Sequence, residues 1–207
     1  MPKDRLRIMT CPVQVEKELN RTYSINKKMP IRIGYAGRID GLEHSQKRLD
    51  LILSFVMELE NIGVKYEFSI AGDGRTRQFL LNELDTIVAH GKYKYMGRIP
   101  REDISTFWKQ RDIAISMSDY EGHSISQMEA MANGAVPIVT DVSGVRDDIV
   151  DGENGFIISC GDYESAAKKA KYLADNRDRL SVMGYAAYEA VASKATWEEH
   201  MKFIYCR

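Results

Sequence analysis

Cysteine is scarce in this chain, and no cysteine stands in a metal-binding motif. The 207 residues include three cysteines, Cys11, Cys160 and Cys206, which are far apart and show no CxxC spacing. The four histidines cluster neither with them nor with one another. Because structural zinc sites need closely spaced cysteine and histidine ligands, we expect no metal site and a reduced, cytosolic setting.

Long hydrophobic runs and an excess of one charge are also missing. The apolar stretches fall far short of the about 20 residues of a membrane span, and the first residues hold no apolar core of signal-peptide length. Lys and Arg number 29 against 30 Asp and Glu, a net charge of -1. Proteins that coat nucleic acid or membranes need a field of one sign. We therefore expect a cytoplasmic chain that binds no nucleic acid; peripheral attachment to a membrane through a longer protein stays open, and so does a small cationic site.

An alternating pattern of strands and helices occupies most of the chain. Hydrophobic residues make up 44% and charged residues 29%, which is ordinary globular usage. Leu49, Ile52, Val56 and Leu59 recur at steps of three and four, as in an amphipathic helix. The predicted strands are 31–35, 66–71, 93–96, 113–117, 136–140 and 156–158. The predicted helices are 48–59, 77–88, 103–109, 125–132, 145–150, 163–175, 179–193 and 197–205.

This order predicts the fold class and the division of the chain. Strands that alternate with helices favour right-handed βαβ crossovers. We predict an α/β fold with a doubly wound, mainly parallel Rossmann-like sheet and helices on both faces. Residues 31–207 would form this domain, and residues 1–30 a linker or irregular N-terminal segment. Ligands of such sheets bind beyond the carboxyl ends of the strands, which here lead into segments 37–41, 72–74, 97–100 and 118–124.

The glycines after the second strand do not form a dinucleotide-binding motif. The third glycine of G-x-G-x-x-G would fall at Arg77, and no P-loop GK[ST] follows any strand. For Gly72-Asp73-Gly74 we favour a tight strand-to-helix turn that requires positive φ.

A capping box marks the helix after the fourth strand. Ser124 is followed three residues later by Gln127, at the head of an apolar helix. Such a helix start presents free N–H groups and a partial positive charge, which suits an anion. Glu129 lies just over one turn into this helix and Glu121 on the loop before it. Both carboxylates could face the crevice, although solvated surface acids are an equally ordinary interpretation.

Two cationic residues are placed near the same edge of the sheet. Arg38 follows the first strand, and Lys47 opens the next helix. Together with a helix N-terminus they could hold a diphosphate without a metal, each charge-assisted hydrogen bond contributing about 1.5–3 kcal/mol. The alternative is that both are ordinary solvated side chains.

These residues together resemble the C-terminal, donor-binding domain of the family-four retaining glycosyltransferases of the GT-B fold (glycosyl transferases group 1). The resemblance runs from about residue 31 to the end of the chain and includes Trp197-Glu198. It is most specific in two glutamates, Glu121 and Glu129, followed by Ala130-Met131-Ala132 and by Gly134-Ala135-Val136-Pro137. It also includes the segments 37–39, 70–74, 95–97, 118–122 and 151–156.

The resemblance implies a role for each matching residue. Arg38 and Lys47 would grip the diphosphate of a nucleoside-diphosphate sugar, and Glu121 would lie near the donor sugar; these are the predicted catalytic residues. Glu129 would bond the ribose hydroxyls. The other implied donor-binding residues are Gly37, Arg98, Ile99, Gly122, His123, Ser124 and Ile125. The resemblance also implies retention of configuration, with no cofactor and no metal.

The chain departs from the family pattern at two places. His123-Ser124 stands where the family often has Phe-Gly, so His123 either alters sugar preference or caps the loop. Arg48 stands where glycine is common, and a solvent-facing side chain is expected there. The N-terminal GT-B domain that carries most acceptor contacts does not match any part of the chain. We therefore expect a donor-binding domain that transfers little alone, to a saccharide or lipid-linked saccharide acceptor. A non-catalytic nucleotide-binding module and a nucleotide-sugar epimerase are the alternatives.

Overall fold

The computed structural model describes residues 13–89 and 91–194 and shows an α/β fold. Six strands alternate with six helices. The strands are β1 Ile31–Ala36, β2 Tyr66–Ala71, β3 Tyr93–Tyr95, β4 Ile113–Ser116, β5 Val136–Thr140 and β6 Phe156–Ile158. The helices are α1 Leu49–Asn61, α2 Arg77–Ile87, α3 Ile104–Lys109, α4 Ile125–Ala132, α5 Tyr163–Asp175 and α6 Arg177–Ala192.

All six strands are parallel and form one sheet in the order β3-β2-β1-β4-β5-β6. The chain therefore builds outward from β1 to β3, returns to the middle, and builds the other half from β4 to β6. The order reverses between β1 and β4, and the crevice at such a switch point is where doubly wound sheets bind ligands.

Helices cover both faces, which confirms the predicted fold class. On one face α1, α2 and α5 pack over a core that includes Phe55, Phe68 and Ile138. On the other face α4 and α6 pack against β5 through a second cluster that includes Met131 and Val139. Because consecutive strand residues point to opposite faces, Ile138 and Val139 serve different cores.

The predicted helix 145–150 is wrong. The structure has only a short 3-10 turn at Val145–Asp147. Asn154 explains the early end: its side-chain oxygen accepts from Val150 N at 2.8 Å, and its amide donates to Asp148 O at 3.0 Å. The side chain thus takes backbone groups that a longer helix would have used. The other predicted elements are present with ends shifted by a few residues, and the predicted helix 197–205 lies outside the described residues.

Residues 13–30 contain neither helix nor strand, yet they lie against the domain. The Arg21 side chain, only 1% exposed, donates to Asn133 O at 2.9 Å and bonds Asp112 at 3.1 Å. Tyr23 Oη donates to Gly134 O at 2.6 Å. This segment is therefore fixed to the loops that precede β4 and β5, and the domain boundary at residue 30 stays a prediction.

Candidate functional site

The candidate site lies where the carboxyl ends of β1 and β4 meet at the switch point. We call this edge the rim, formed by segments 37–41, 72–74, 97–100 and 118–124. The chain brings Arg38 there directly after β1 and Glu121 shortly after β4. The first turn of α4 is joined to β1 because Ser126 Oγ donates to Ala36 O at 2.8 Å. Residues far apart in sequence are thus held at one edge.

Two glycines fix the loop that carries Arg38. Gly72 has φ +135°, and a Cβ there would lie 1.8 Å from Gly37 O. A Cβ on Gly74 would lie 2.2 Å from Ile39 O. Only glycine, which has no Cβ, allows the loop after β1 to pass this closely at both positions. The turn at residues 72–74 therefore also supports the loop that carries Arg38.

We expect Gly72→Ala to lower the free energy of unfolding by about 3 kcal/mol or more, because it combines backbone strain with a backbone clash. Gly63 is the matched control: it has φ +70° but nothing within 4 Å of its missing Cβ. Gly63→Ala should cost only about 1–2 kcal/mol, from strain alone. Urea unfolding of both variants measures the difference, and equal losses would contradict the packing argument.

The cationic pair is joined to Glu121 in one hydrogen-bonded network. Arg38 Nη2 donates to Gln46 Oε1 at 2.7 Å, and Gln46 Nε2 lies 3.3 Å from Glu121 Oε2. Lys47 Nζ forms an ion pair with Glu121 Oε1, which Ser118 Oγ also approaches at 2.9 Å. The structure therefore brings together Arg38, Lys47 and Glu121, and adds Gln46 as the residue between them.

Arg48 does not simply face solvent, and Lys47 lies just before α1 rather than within it. Arg48 has φ +44°, a conformation that suits the glycine common in the family. Its guanidinium binds Asp50 at 2.7 Å and Asp119 at 3.0 Å, and the side chain is 20% exposed. Two carboxylates hold this arginine in place, which ties the start of α1 to the loop that carries Glu121.

The start of α4 has half of the predicted capping box. Ser124 Oγ accepts from Gln127 N at 3.4 Å, while Gly122 lies on the open loop before it. Within the described residues, no reciprocal bond from the Gln127 side chain is found. Ile125 begins the helix and is 52% exposed, so the first N–H groups of α4 lie at the rim.

His123 turns away from the open rim toward the next loop. Its Nε2 lies 3.2 Å from Asp148 Oδ2, and its side chain is 19% exposed. Asp148 also forms an ion pair with Lys194. Within the described residues Nε2 makes no hydrogen bond, so the imidazole lies against the loop that carries Asp148 without being bonded to it.

A pocket of about 510 Å³ opens beside α4, and it contains the second half of the predicted site. Glu129 lines it together with Arg98 and Ile99; Pro100, Arg101 and Ile104 complete the wall. Burial raises the pKa of Glu129, and the nearby charge of Arg101 opposes this only in part. Ligand hydroxyls that donate to this carboxylate would stabilise its ionised form, which burial disfavours.

A doubly wound sheet with a cationic rim and a neighbouring pocket at its switch point defines an α/β domain of the Rossmann-like type, whose ligands bind at that point. Comparison with known proteins makes this more specific. The chain belongs to the glycosyl transferases group 1 family, whose model matches residues 16–190.

Individual relatives agree with this assignment. The capsular polysaccharide biosynthesis glycosyltransferase CapM of Staphylococcus aureus is 27% identical over 180 residues, which is 81% of this chain and 44% of CapM. A mutant of S. aureus TarM, solved with UDP and saccharide ligands, has a TM-score of 0.78 at 19% identity, covering 95% of this chain and 38% of that one. HepE of Anabaena, solved with UDP-glucose, has a TM-score of 0.73 at 14% identity, covering 86% and 48%.

These comparisons confirm the family and the Rossmann-like fold shared with GT-B enzymes. Neither the non-catalytic module nor the epimerase is favoured. The chain spans less than half the length of each relative named above. None of the helices in the part of the chain that the structure describes is long and apolar enough to cross a bilayer.

Proposed function

We propose that this chain is the donor-binding half of a retaining glycosyltransferase that uses a nucleoside-diphosphate sugar. The sugar would pass to a saccharide or lipid-linked saccharide held mainly by a second, N-terminal GT-B domain. The observation that supports this most strongly is the meeting of the Arg38–Lys47–Glu121 network with the Glu129 pocket at one rim. The UDP and UDP-glucose bound by structural relatives agree with such a donor.

The diphosphate would lie on Arg38, Lys47 and the first N–H groups of α4. As the glycosidic bond breaks, negative charge grows on the departing diphosphate, and preorganised positive groups stabilise that charge most at the transition state. Lys47 is neutralised by Glu121 in the structure. A diphosphate would compete for this ammonium, which frees the Glu121 carboxylate to turn toward the donor sugar.

The nucleoside would occupy the pocket beside α4. Glu129 would accept hydrogen bonds from the ribose hydroxyls, and Ile99 would offer an apolar surface to the base, with Arg98 at its edge. Burial disfavours the ionised form of Glu129 and raises its pKa. Ligand hydroxyls would replace the lost hydration, so part of the binding energy comes from relief of this penalty.

Metal independence and retention complete the proposal. Two side-chain cations and a helix N-terminus supply positive charge where other enzymes place a divalent ion. Retention rests on the family resemblance and on Glu121 lying beside the diphosphate site. Transfer by this chain alone should be weak, because an acceptor that is not held in position loses the advantage of proximity.

Calorimetry tests the proposal directly. We expect UDP, GDP or ADP to bind the folded chain, with the same affinity in the presence of a chelator. Failure of all three to bind would overturn the proposed function, and loss of binding on chelation would overturn metal independence. Glu129→Gln should weaken nucleotide binding about tenfold or more, through loss of charged hydrogen bonds.

The same variant has a second, opposite expected effect. Because a buried acid with a raised pKa destabilises the fold at pH values above that pKa, Glu129→Gln should raise the melting temperature at neutral pH while it weakens binding. Glu164→Gln is the matched control, since Glu164 is 58% exposed on α5, and it should change neither quantity. Unchanged nucleotide affinity in Glu129→Gln would show that the pocket is not the ribose site.

A further inference from the structure

A second cavity lies at the opposite end of the sheet from the rim. Its volume is about 370 Å³, and it opens at the amino ends of β1, β2 and β3 beside the segment that joins α3 to β4. Its lining includes four cationic residues, Arg32, Lys92, Lys94 and Arg111, and one acid, Glu67. It shares no lining residue with the pocket that contains Glu129.

The parallel register explains why these charges share one face. Arg32 pairs with Glu67 across β1 and β2, and Ser69 pairs with Lys94 across β2 and β3. Gly34, two residues after Arg32, leaves room for the stem of Arg111: a Cβ there would lie 2.8 Å from Arg111 Cγ. The stem of Arg111 thus packs on β1, and the residue lines the cavity together with residues of β2 and β3.

The positive charges of the cavity are not balanced. Arg32 is neutralised by Asp112 at 2.7 Å, and Lys92 by Glu60 at 2.6 Å. Within residues 13–89 and 91–194, neither Lys94 nor Arg111 has a carboxylate within 4.0 Å. Two uncompensated cations therefore line a cavity in which Glu67 is the single acid.

Arg111 is the most unusual of these side chains. It is only 7% exposed, and its Nε is buried with no hydrogen-bond partner in the described part of the chain. Nη1 donates to Gln110 Oε1 at 3.0 Å, and the guanidinium lies 4.5 Å from the centre of the Phe107 ring. The carboxylates of Glu67 and Asp112 act on Arg111 only from beyond ion-pair distance. A buried cation without a close ion pair is costly, and an anion in the cavity would offset that cost.

We propose that this cavity is an anion site that takes a phosphoryl group, held between the Arg111 guanidinium and the Lys94 ammonium. Arginine offers a planar fork that matches phosphate oxygens, and lysine adds a movable point charge. The volume admits a phosphate with a small organic group attached. A soluble phosphorylated molecule and a phospholipid headgroup present the same chemistry to these two side chains.

Titration of inorganic phosphate into the isotope-labelled full chain, followed by amide NMR, tests the site separately from the rim. We expect shifts in the amides of β3 and of Arg111, in addition to those of the rim. Lys94→Gln should raise the dissociation constant reported by the β3 amides about tenfold or more, from loss of one charge-assisted bond. Lys168→Gln, which removes an exposed lysine on α5, is the matched control and should leave it unchanged.

Two further measurements separate binding at this cavity from binding at the rim and identify the source of the phosphoryl group. Arg38→Ala should leave the β3 shifts intact, and so failure of the proposed donor site would not affect this result. Binding to phosphatidylcholine vesicles only when phosphatidylglycerol is added, and only with Lys94 present, would identify a lipid headgroup. Phosphate binding without vesicle binding would identify a soluble ligand. If phosphate shifts no β3 amide, or if Lys94→Gln leaves the dissociation constant reported by those amides unchanged, the proposed site is wrong. This test needs no substitution of the buried Arg111.

Discussion

Asp112→Asn is expected to destabilise the fold by about 3–5 kcal/mol, because it leaves buried arginines without their counter-ion. The Asp112 side chain is 1% exposed and binds Arg32 at 2.7 Å and Arg21 at 3.1 Å, with Arg177 at 4.0 Å. Arg21 and Arg177 are themselves 1% and 2% exposed. One carboxylate thus joins the N-terminal segment, β1 and the start of α6.

Denaturant unfolding measures this loss, with Asp175→Asn as the control. Asp175 is 61% exposed and pairs with Lys171 one helical turn away, a type of contact that contributes only about 0.3–0.5 kcal/mol. A loss in Asp112→Asn as small as in the control would show that the arginines do not depend on the shared carboxylate.

The pH dependence of the free energy of unfolding also tests whether the buried arginines depend on Asp112, because acid protonates this carboxylate without a substitution. Burial alone would raise the pKa of Asp112, but the hydrogen bonds and charge of Arg32 outweigh it, so the pKa is lowered. The stabilisation is therefore present above the unfolded value of about 3.9 and is lost as the pH falls through the lower folded value. Wild type and Asp112→Asn should accordingly become more alike in strong acid.

The fold could be predicted because its signals are local. Apolar periodicity of 3.6 residues and short β-branched runs are set by each element's own buried face, as in β1 and α1. The wrong helix at 145–150 shows the limit of such reasoning: Asn154 competes for the backbone from outside the predicted segment. No periodicity within 145–150 carries that information.

The candidate site could be predicted only in its charged residues. The sequence predicts Arg38, Lys47 and Glu121 because their spacing resembles a family pattern, and the structure links Arg38 to the Lys47–Glu121 ion pair through Gln46. Gln46 carries no charge, so nothing in the sequence distinguishes it from other loop glutamines. Arg101 was missed for another reason: it lines the Glu129 pocket only because a 3-10 turn places it there.

The buried arginines were beyond sequence reasoning altogether. Arg21 lies 91 residues from Asp112, and Arg32 lies 80 residues away. Such pairs depend on which strand ends are neighbours, and the strand order is decided by the whole sheet. A charged segment before residue 30 therefore resembles a linker in sequence, although the side chains of Glu16, Arg21 and Tyr23 are bonded to the domain.

Substitution of the cationic pair should have the largest effect on ligand binding. We expect Arg38→Ala and Lys47→Ala each to weaken binding of a nucleoside diphosphate by about 10- to 100-fold, because each removes a charge-assisted hydrogen bond to phosphate. Calorimetry with the best-binding nucleotide measures the loss. Arg75→Ala is the control. The Arg75 side chain is 92% exposed near the same rim, and its ion pair with Asp40 is long, at 3.7 Å, so this variant should bind the nucleotide as wild type does.

Lys47→Ala should cost more than Arg38→Ala, and the reason lies in Glu121. The lysine neutralises this carboxylate, so its removal leaves a negative charge beside the diphosphate. Combining Lys47→Ala with Glu121→Gln should therefore restore part of the lost affinity, and the gain should be larger than the gain from Glu121→Gln in Arg38→Ala, where Lys47 still neutralises the carboxylate. A double-mutant cycle measures this coupling. Equal affinities for Lys47→Ala with and without Glu121→Gln would show that the carboxylate does not face the bound diphosphate, and the proposed release of Glu121 by the donor would then be wrong.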